Sequence, residues 1–138
     1  MGMSVRAIIK TLSEGGVIAI APDQSGPMEG PFVYFFGRRV ATHQGPAAFA
    51  LRSNAPMLMG FMLRKADGTY EVTIEEVPAS GLSEPTEENI IELTRRHTAL
   101  LERYIRRTPD QWLWMHRRWK HTWESVHGKH GPAGDSGA

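Results

Sequence analysis

Apolar residues recur along this chain in two rhythms, and each rhythm predicts a different element. Val5, Ile8, Ile9 and Leu12 follow helical spacing and Gly15-Gly16 supplies a stop, so residues 3–14 read as an amphipathic helix. Val17–Ala21 is a continuous apolar run closed by Pro22, the pattern of a strand buried on both faces. From Pro22 to Val40 the chain is rich in glycine and proline and has no period. A loop of that length is functional or disordered, and the cluster Phe32, Tyr34, Phe35 and Phe36 argues against disorder. Gly45-Pro46 opens a helix that Asn54 can end in the left-handed conformation. Met57–Leu63 is a second apolar strand, and Asp67-Gly68 turns it back into a partner over Tyr70–Val77. There Tyr70, Val72 and Ile74 alternate with Glu71, Thr73 and Glu75, which predicts one wet face near a sheet edge.

Beyond a Pro/Ser/Gly linker over 78–85, Thr86 caps a long helix reaching about Arg107. Its apolar stripe is Ile90, Leu93, His97, Leu101 and Tyr104. Thr108-Pro109-Asp110-Gln111 predicts a second helix start, after which Trp112, Met115, Trp119 and Trp123 recur at helical spacing. Helix, glycine turn and buried strand are the grammar of an α/β domain. The expectation is a short mixed sheet flanked by helices, with a C-terminal helical segment. Residues 1–126 form one region, and 127–138 form a polar, glycine-rich tail expected to be disordered.

At 138 residues, with 41% hydrophobic residues, the chain suits one domain and can build a core. It has no cysteine, which excludes a disulfide framework, a thiolate metal site and a cysteine nucleophile. No apolar run approaches the roughly 20 residues of a membrane span, and no signal peptide is expected at the N-terminus. The chain by itself reads as soluble or peripheral. Its net charge of +1 hides a segregation. Residues 66–94 hold eight acids and no base, whereas 95–130 hold nine basic side chains against three acids, with five of the six histidines. Such a basic third suits lipid or nucleic-acid phosphates, or is a solvated face balanced by the acidic stretch.

Three places can carry chemistry. Asp23 follows the first apolar strand through Pro22, where ligands bind in open α/β sheets; it orients a substrate or a catalytic histidine, or is a turn aspartate. Thr42, His43 and Gly45 stand at a helix start that favours anions, with Arg38 and Arg39 upstream. The stretch Trp112–Lys120 interleaves aromatics with cations, fitting a membrane interface, single-stranded nucleic acid, or a docked helix with wet cations. His97 and Glu102 match a His-x4-Glu pattern, but on a helix they diverge by about 140°, so packing is the role expected of His97. His121, His127 and His130 lie in or near the glycine-rich tail, and no metal site is expected from them.

Taken in order, Gly15–Gln24, Phe35-Phe36-Gly37, Ala41-Thr42 with Gly45-Pro46, and Thr108–Lys120 resemble blocks of the lipid A biosynthesis acyltransferase family. That family belongs to the lysophospholipid acyltransferase superfamily, and the likeness runs from about Val5 to Lys120, over the family's C-terminal half. It implies the C-terminal half of a lysophospholipid-acyltransferase-like fold. The activity implied is transfer of an acyl chain from a thioester, commonly acyl carrier protein, to a hydroxyl of a lipid A precursor or lysolipid. The implied setting is the cytoplasmic face of the bacterial inner membrane, with no cofactor and no nucleic acid.

Carried over by position, Asp23 supports the active site. Gln24, Arg38, Arg39, Thr42, His43, Gly45, Arg64, Trp114, His116, Arg117 and Arg118 are candidates for substrate binding. The family's catalytic His-x4-Asp/Glu belongs to its other half and is not found here, so the chain alone is expected to be inactive. The alternative is a non-catalytic module binding anionic lipid or nucleic acid through the basic C-terminal helices. Half of such a fold leaves a face uncovered, so self-association is expected.

Overall fold

A computed structural model describes residues 4–128. Helix α1, Val5–Ser13, starts where the Ser4 hydroxyl accepts from the Ala7 amide. Strands β1, Phe32–Phe35, and β2, Arg38–Ala41, pair antiparallel. Helix α2, Gly45–Ser53, has proline in its first turn and ends on Asn54 in the left-handed conformation, as its sequence predicts. Strands β3, Leu58–Arg64, and β4, Tyr70–Glu76, form the expected hairpin. Its loop is closed by Asp67, whose Oδ1 accepts from both the amide and the hydroxyl of Thr69. Helix α3, Glu87–Arg107, is capped by Thr86 with two glutamates in its positive first turn. A single 3₁₀ turn, Pro109–Gln111, and a short helix α4, Trp123–His127, complete the order.

Helix α3 is the spine of the described residues, with two hydrophobic clusters on its faces. One packs Ala47, Ala48 and Ala50 of α2 and Val77 against Ile90, Leu93, Leu100 and Tyr104, with Met59, Phe61 and Leu63 of β3 beside them. Phe61 and Tyr104 stack there, 3.6 Å apart and 7° from parallel. The other cluster joins Phe35 and Val40 to Ile105, with Phe36, Leu101, Trp112 and Trp119 around it.

Several elements differ from those the sequence predicts. The strands form two separate two-stranded antiparallel sheets, not one mixed sheet. Val17–Ala21 belongs to neither; it has no regular secondary structure, and Val17 is 89% exposed. An apolar run shows that a strand can be buried, but only a neighbouring strand buries it. The aperiodic 22–40 stretch holds β1 and all but the last residue of β2, joined by Phe36 and Gly37 with φ of 49° and 74°. Two positive φ values make the tight turn that suits a hairpin, and Phe36 is held there by its amide donating to Glu102 Oε2 at 2.6 Å.

In β4 the alternation holds with the opposite sense. Tyr70, Val72 and Ile74 point outward with Leu58 and Met62, while Thr73 and Glu75 are half-buried on the side of α3. Glu75 is turned inward by Arg103 and by the Tyr104 hydroxyl, which donates to it at 3.1 Å. The helix predicted along Trp112–Trp123 is instead a run of turns between the 3₁₀ turn and α4. His127 closes α4 and stacks on Trp123, and residues 129–138 of the predicted tail lie outside the described residues.

Phe35 is fully buried and stacked on Trp119 at 5.4 Å. Phe35→Ala is expected to lower unfolding stability by about 3–5 kcal/mol, read from the urea midpoint. A loss under about 1 kcal/mol would mean that this cluster is not a packed core.

Candidate functional site

A cavity of about 470 Å³ is lined by the 18–23 segment, β3 and the inner face of α3. Ile18, Ile20, Met59, Phe61 and Leu101 give it apolar walls, whereas Asp23, Thr42, His97 and Arg118 supply polar groups. Two loops bring these together. Gly26 is buried, and its amide donates to Ala41 O at 3.0 Å, fastening the stretch after Asp23 to the end of β2. Only glycine fits this approach, because a Cβ would stand 2.8 Å from Thr42 Cα and from the His43 nitrogen. On the other side, Ala41 N donates to His121 O at 2.9 Å and Val40 bridges Thr122, which lays the C-terminal turns along the free edge of β2.

Arg118 is delivered by that second contact and is only 1% exposed. Nη1 donates to Ala41 O at 3.0 Å, Nη2 to Thr42 Oγ1 at 2.8 Å, and the guanidinium lies 5.0 Å from the centre of the Phe35 ring. Its Nε has no protein partner. Burial lowers Arg118 to about 10, against the opposing pull of the Asp23 charge, so it remains a cation at neutral pH. His97, 4% exposed, also has an unpartnered ring nitrogen, Nε2. Burial first, and the positive charge of Arg118 second, push His97 down to about 4. The site therefore sets a fixed cation beside a neutral imidazole, with a carboxylate in the same lining.

The other candidates are dispersed. Gln24 and His43 are exposed, and Gly45 is half-buried at the start of α2. Arg38 is exposed, and Arg39 lies over the Trp123 ring at 4.2 Å instead of reaching that helix start. The main chain of Arg64 is clamped by the Gln111 side chain, which accepts from its amide at 2.8 Å and donates to its carbonyl at 3.0 Å. Trp114 donates through Nε1 to Pro109 O at 2.6 Å and stacks on Trp119. His116 is half-buried and Arg117 exposed, so the Arg117-Arg118 pair faces two different environments. Glu102 is occupied by Phe36 N and by Arg106, and no hydrogen bond joins it to His97.

Residues 1–121 match the model of a family described as bacterial lipid A biosynthesis acyltransferase. This chain belongs to that family. It is 34% identical over 119 residues to the lipid A biosynthesis palmitoleoyltransferase of Escherichia coli K12 and to a lipid A biosynthesis acyltransferase of Shigella flexneri. Each of these alignments covers 85% of this chain and 38% of the relative. The lipid A biosynthesis lauroyltransferase of E. coli K12 is 30% identical over 125 residues, covering 88% of this chain and 40% of that protein. The chain thus spans about two fifths of the length of these relatives.

Sequence reasoning offered Asp23, Thr42 and Arg118 as separate candidates, and the structure brings all three into one cavity lining. Thr42 lies 76 residues from Arg118, and no local pattern announces the pair. His97 did carry a signal, since it interrupts an otherwise apolar stripe on α3.

A histidine held neutral in the fold destabilises it as the solution becomes acidic, because the unfolded chain takes up the proton first. With a folded value of about 4 against 6.5, stability is constant above pH 7 and falls on acidification. About 2 kcal/mol should be lost between pH 7 and pH 5. Urea midpoints across that range should show the loss, and His97→Gln should remove most of it. An unchanged slope in the variant would mean that His97 is not the group responsible.

Proposed function

We propose that this chain forms one side of an acyl-transfer site. There an acyl chain passes from a thioester of the acyl-carrier-protein type to a hydroxyl of a lipid A precursor or lysolipid. The observation that carries this reading is an apolar cavity with Asp23, Thr42, His97 and Arg118 in its lining, in a member of the acyltransferase family. The walls suit an alkyl chain, and a buried guanidinium suits the charge that develops on a carbonyl oxygen during attack. The acceptor oxygen bonds to the carbonyl carbon, the carbon–sulfur bond breaks, and the acceptor proton passes to a base and then to the thiolate.

His97 does not fit that base. An imidazole held near 4 is a poor proton acceptor at neutral pH, and its Nε2 is shut off from solvent. The chain alone therefore lacks turnover in this reading, and Asp23 acts in support, holding the acceptor or orienting a histidine supplied by the whole enzyme. The whole enzyme works at the cytoplasmic face of the inner membrane. Among the described residues, no helix is long and apolar enough to cross one.

In the whole protein, Asp23→Asn should lower acyl transfer at least about 100-fold while the far-ultraviolet circular dichroism stays unchanged. Full activity in that variant would remove Asp23 from the site. By itself the chain should self-associate, because Leu58, Met62, Val72 and Ile74 leave one face of the β3–β4 hairpin apolar and open. Sedimentation equilibrium reads this directly, and a clean monomer would refute it.

A further inference from the structure

The basic C-terminal third is much less available than its sequence suggests. Along α3, Arg95 and Arg96 are paired with Glu92, Arg103 with Glu75, and Arg106 with Glu102. Arg107 lies over the Tyr104 ring, and Arg118 is buried. Among the described residues of the turns after α3, this leaves Arg117 and Lys120, both exposed and without an acid partner. They share a shallow depression with Met115, His116 and His121. From Gln111 to His121 the chain has no acidic residue.

Beside these cations stand three consecutive apolar residues that the fold turns outward: Leu113 is 65% exposed, Trp114 48% and Met115 91%. The turns produce this arrangement. Trp114 N bonds to Trp112 O, His116 N to Leu113 O, Arg118 N to His116 O and Lys120 N to Arg117 O. These reversals return Trp112, Arg118 and Trp119 toward the core, leave His116 half-buried, and leave Leu113–Met115 and Arg117 exposed. The projection is also held in shape. Gln111 is clamped to β3, and Trp114 is fixed by Pro109 O and by its stack on Trp119, with planes 1° apart. Binding here would cost little ordering entropy.

We propose that the turn segment 112–121 is a docking surface for an anionic phospholipid bilayer, with Leu113 and Met115 entering the headgroup–acyl boundary and Arg117 and Lys120 meeting lipid phosphates. Rigid aliphatic tips beside unpaired cations match that boundary, where apolar and anionic layers lie within a few ångströms of each other. Single-stranded nucleic acid is the poorer match. Leucine and methionine offer bases no stacking plane, and one face of the exposed tryptophan is already taken by Trp119. The proposal goes beyond acyl transfer and stands on exposure and charge alone, so it holds or fails independently of the cavity's chemistry.

The test is co-sedimentation of the 138-residue chain with vesicles at roughly 0.1 M salt. Phosphatidylcholine vesicles with roughly 30% phosphatidylglycerol are compared with phosphatidylcholine alone. The chain should partition onto the anionic vesicles and far less onto the neutral ones. Arg117→Glu with Lys120→Glu should weaken partitioning at least about 25-fold, at roughly fivefold per cation. Leu113→Ser with Met115→Ser should weaken it about tenfold. The two pairs alter different exposed side chains, so a folding defect in one leaves the other as the test. Near-ultraviolet circular dichroism of the stacked tryptophans reports an intact turn. Equal partitioning onto neutral vesicles, or binding unaffected by either pair, would overturn the proposal. So would an oligonucleotide that displaces the chain from vesicles and still binds the Leu113/Met115 variant.

Discussion

A guanidinium taken out of water costs several kcal/mol unless its N–H groups find acceptors. Arg118 meets that demand in part at one place, the end of β2, where Nη1 and Nη2 reach Ala41 O and Thr42 Oγ1 over the Phe35 ring while Nε has no protein partner. Much else follows from this contact. It holds the C-terminal turns against β2, helps close the cluster around Phe35 and Trp119, and puts a permanent cation in the cavity lining. The same cation helps keep His97 neutral. One buried charge thus ties together stability and the electrostatics of the site.

Helix α3 plays the complementary mechanical part. At 21 residues it is long enough to serve two hydrophobic clusters, one toward α2 and β3 and one toward β1 and the C-terminal turns. Its buried threonines need no distant partner, because Thr94 and Thr98 donate to the carbonyls of Ile90 and Thr94 one turn back. Its arginines are mostly neutralised by carboxylates of the fold. The basic character visible along residues 95–120 is thereby reduced to Arg107 and a small set in the turns after α3. Two of the cations left without an acid partner, Arg117 and Lys120, stand beside the exposed Leu113, Trp114 and Met115.

The parts legible in the sequence share a physical trait. Thr86, Gly45-Pro46, Asn54 and Asp67-Gly68 act over one turn of chain, through hydrogen bonds and φ preferences that need no distant neighbour. The family resemblance was readable for a related reason, since the order of its blocks survives whatever each block does in space. The misreadings came where partners are remote. Phe36-Gly37 makes a hairpin turn without the usual Asn-Gly chemistry because Glu102 of α3 holds the Phe36 amide. The tryptophans after Gln111 have helical spacing, but Trp112, Trp114 and Trp119 gather on Phe35 and Phe36 while Trp123 packs on Phe32 and His127, and the chain turns to serve both sites.

Taken alone, the sequence determined helices α1, α2 and α3 with the Asn54 and Thr86 caps, the β3–β4 hairpin, the segregation of charge and membership of the acyltransferase family. These depend on local backbone chemistry and on the order of residues. Only the tertiary structure decided that Asp23, Thr42, His97 and Arg118 share one cavity, that Arg118 is buried while Arg117 is not, and that β4 turns its apolar side outward. Burial and pairing belong to the assembled chain. Arg118 and Thr42 are 76 residues apart, and neither carries any local mark of the other.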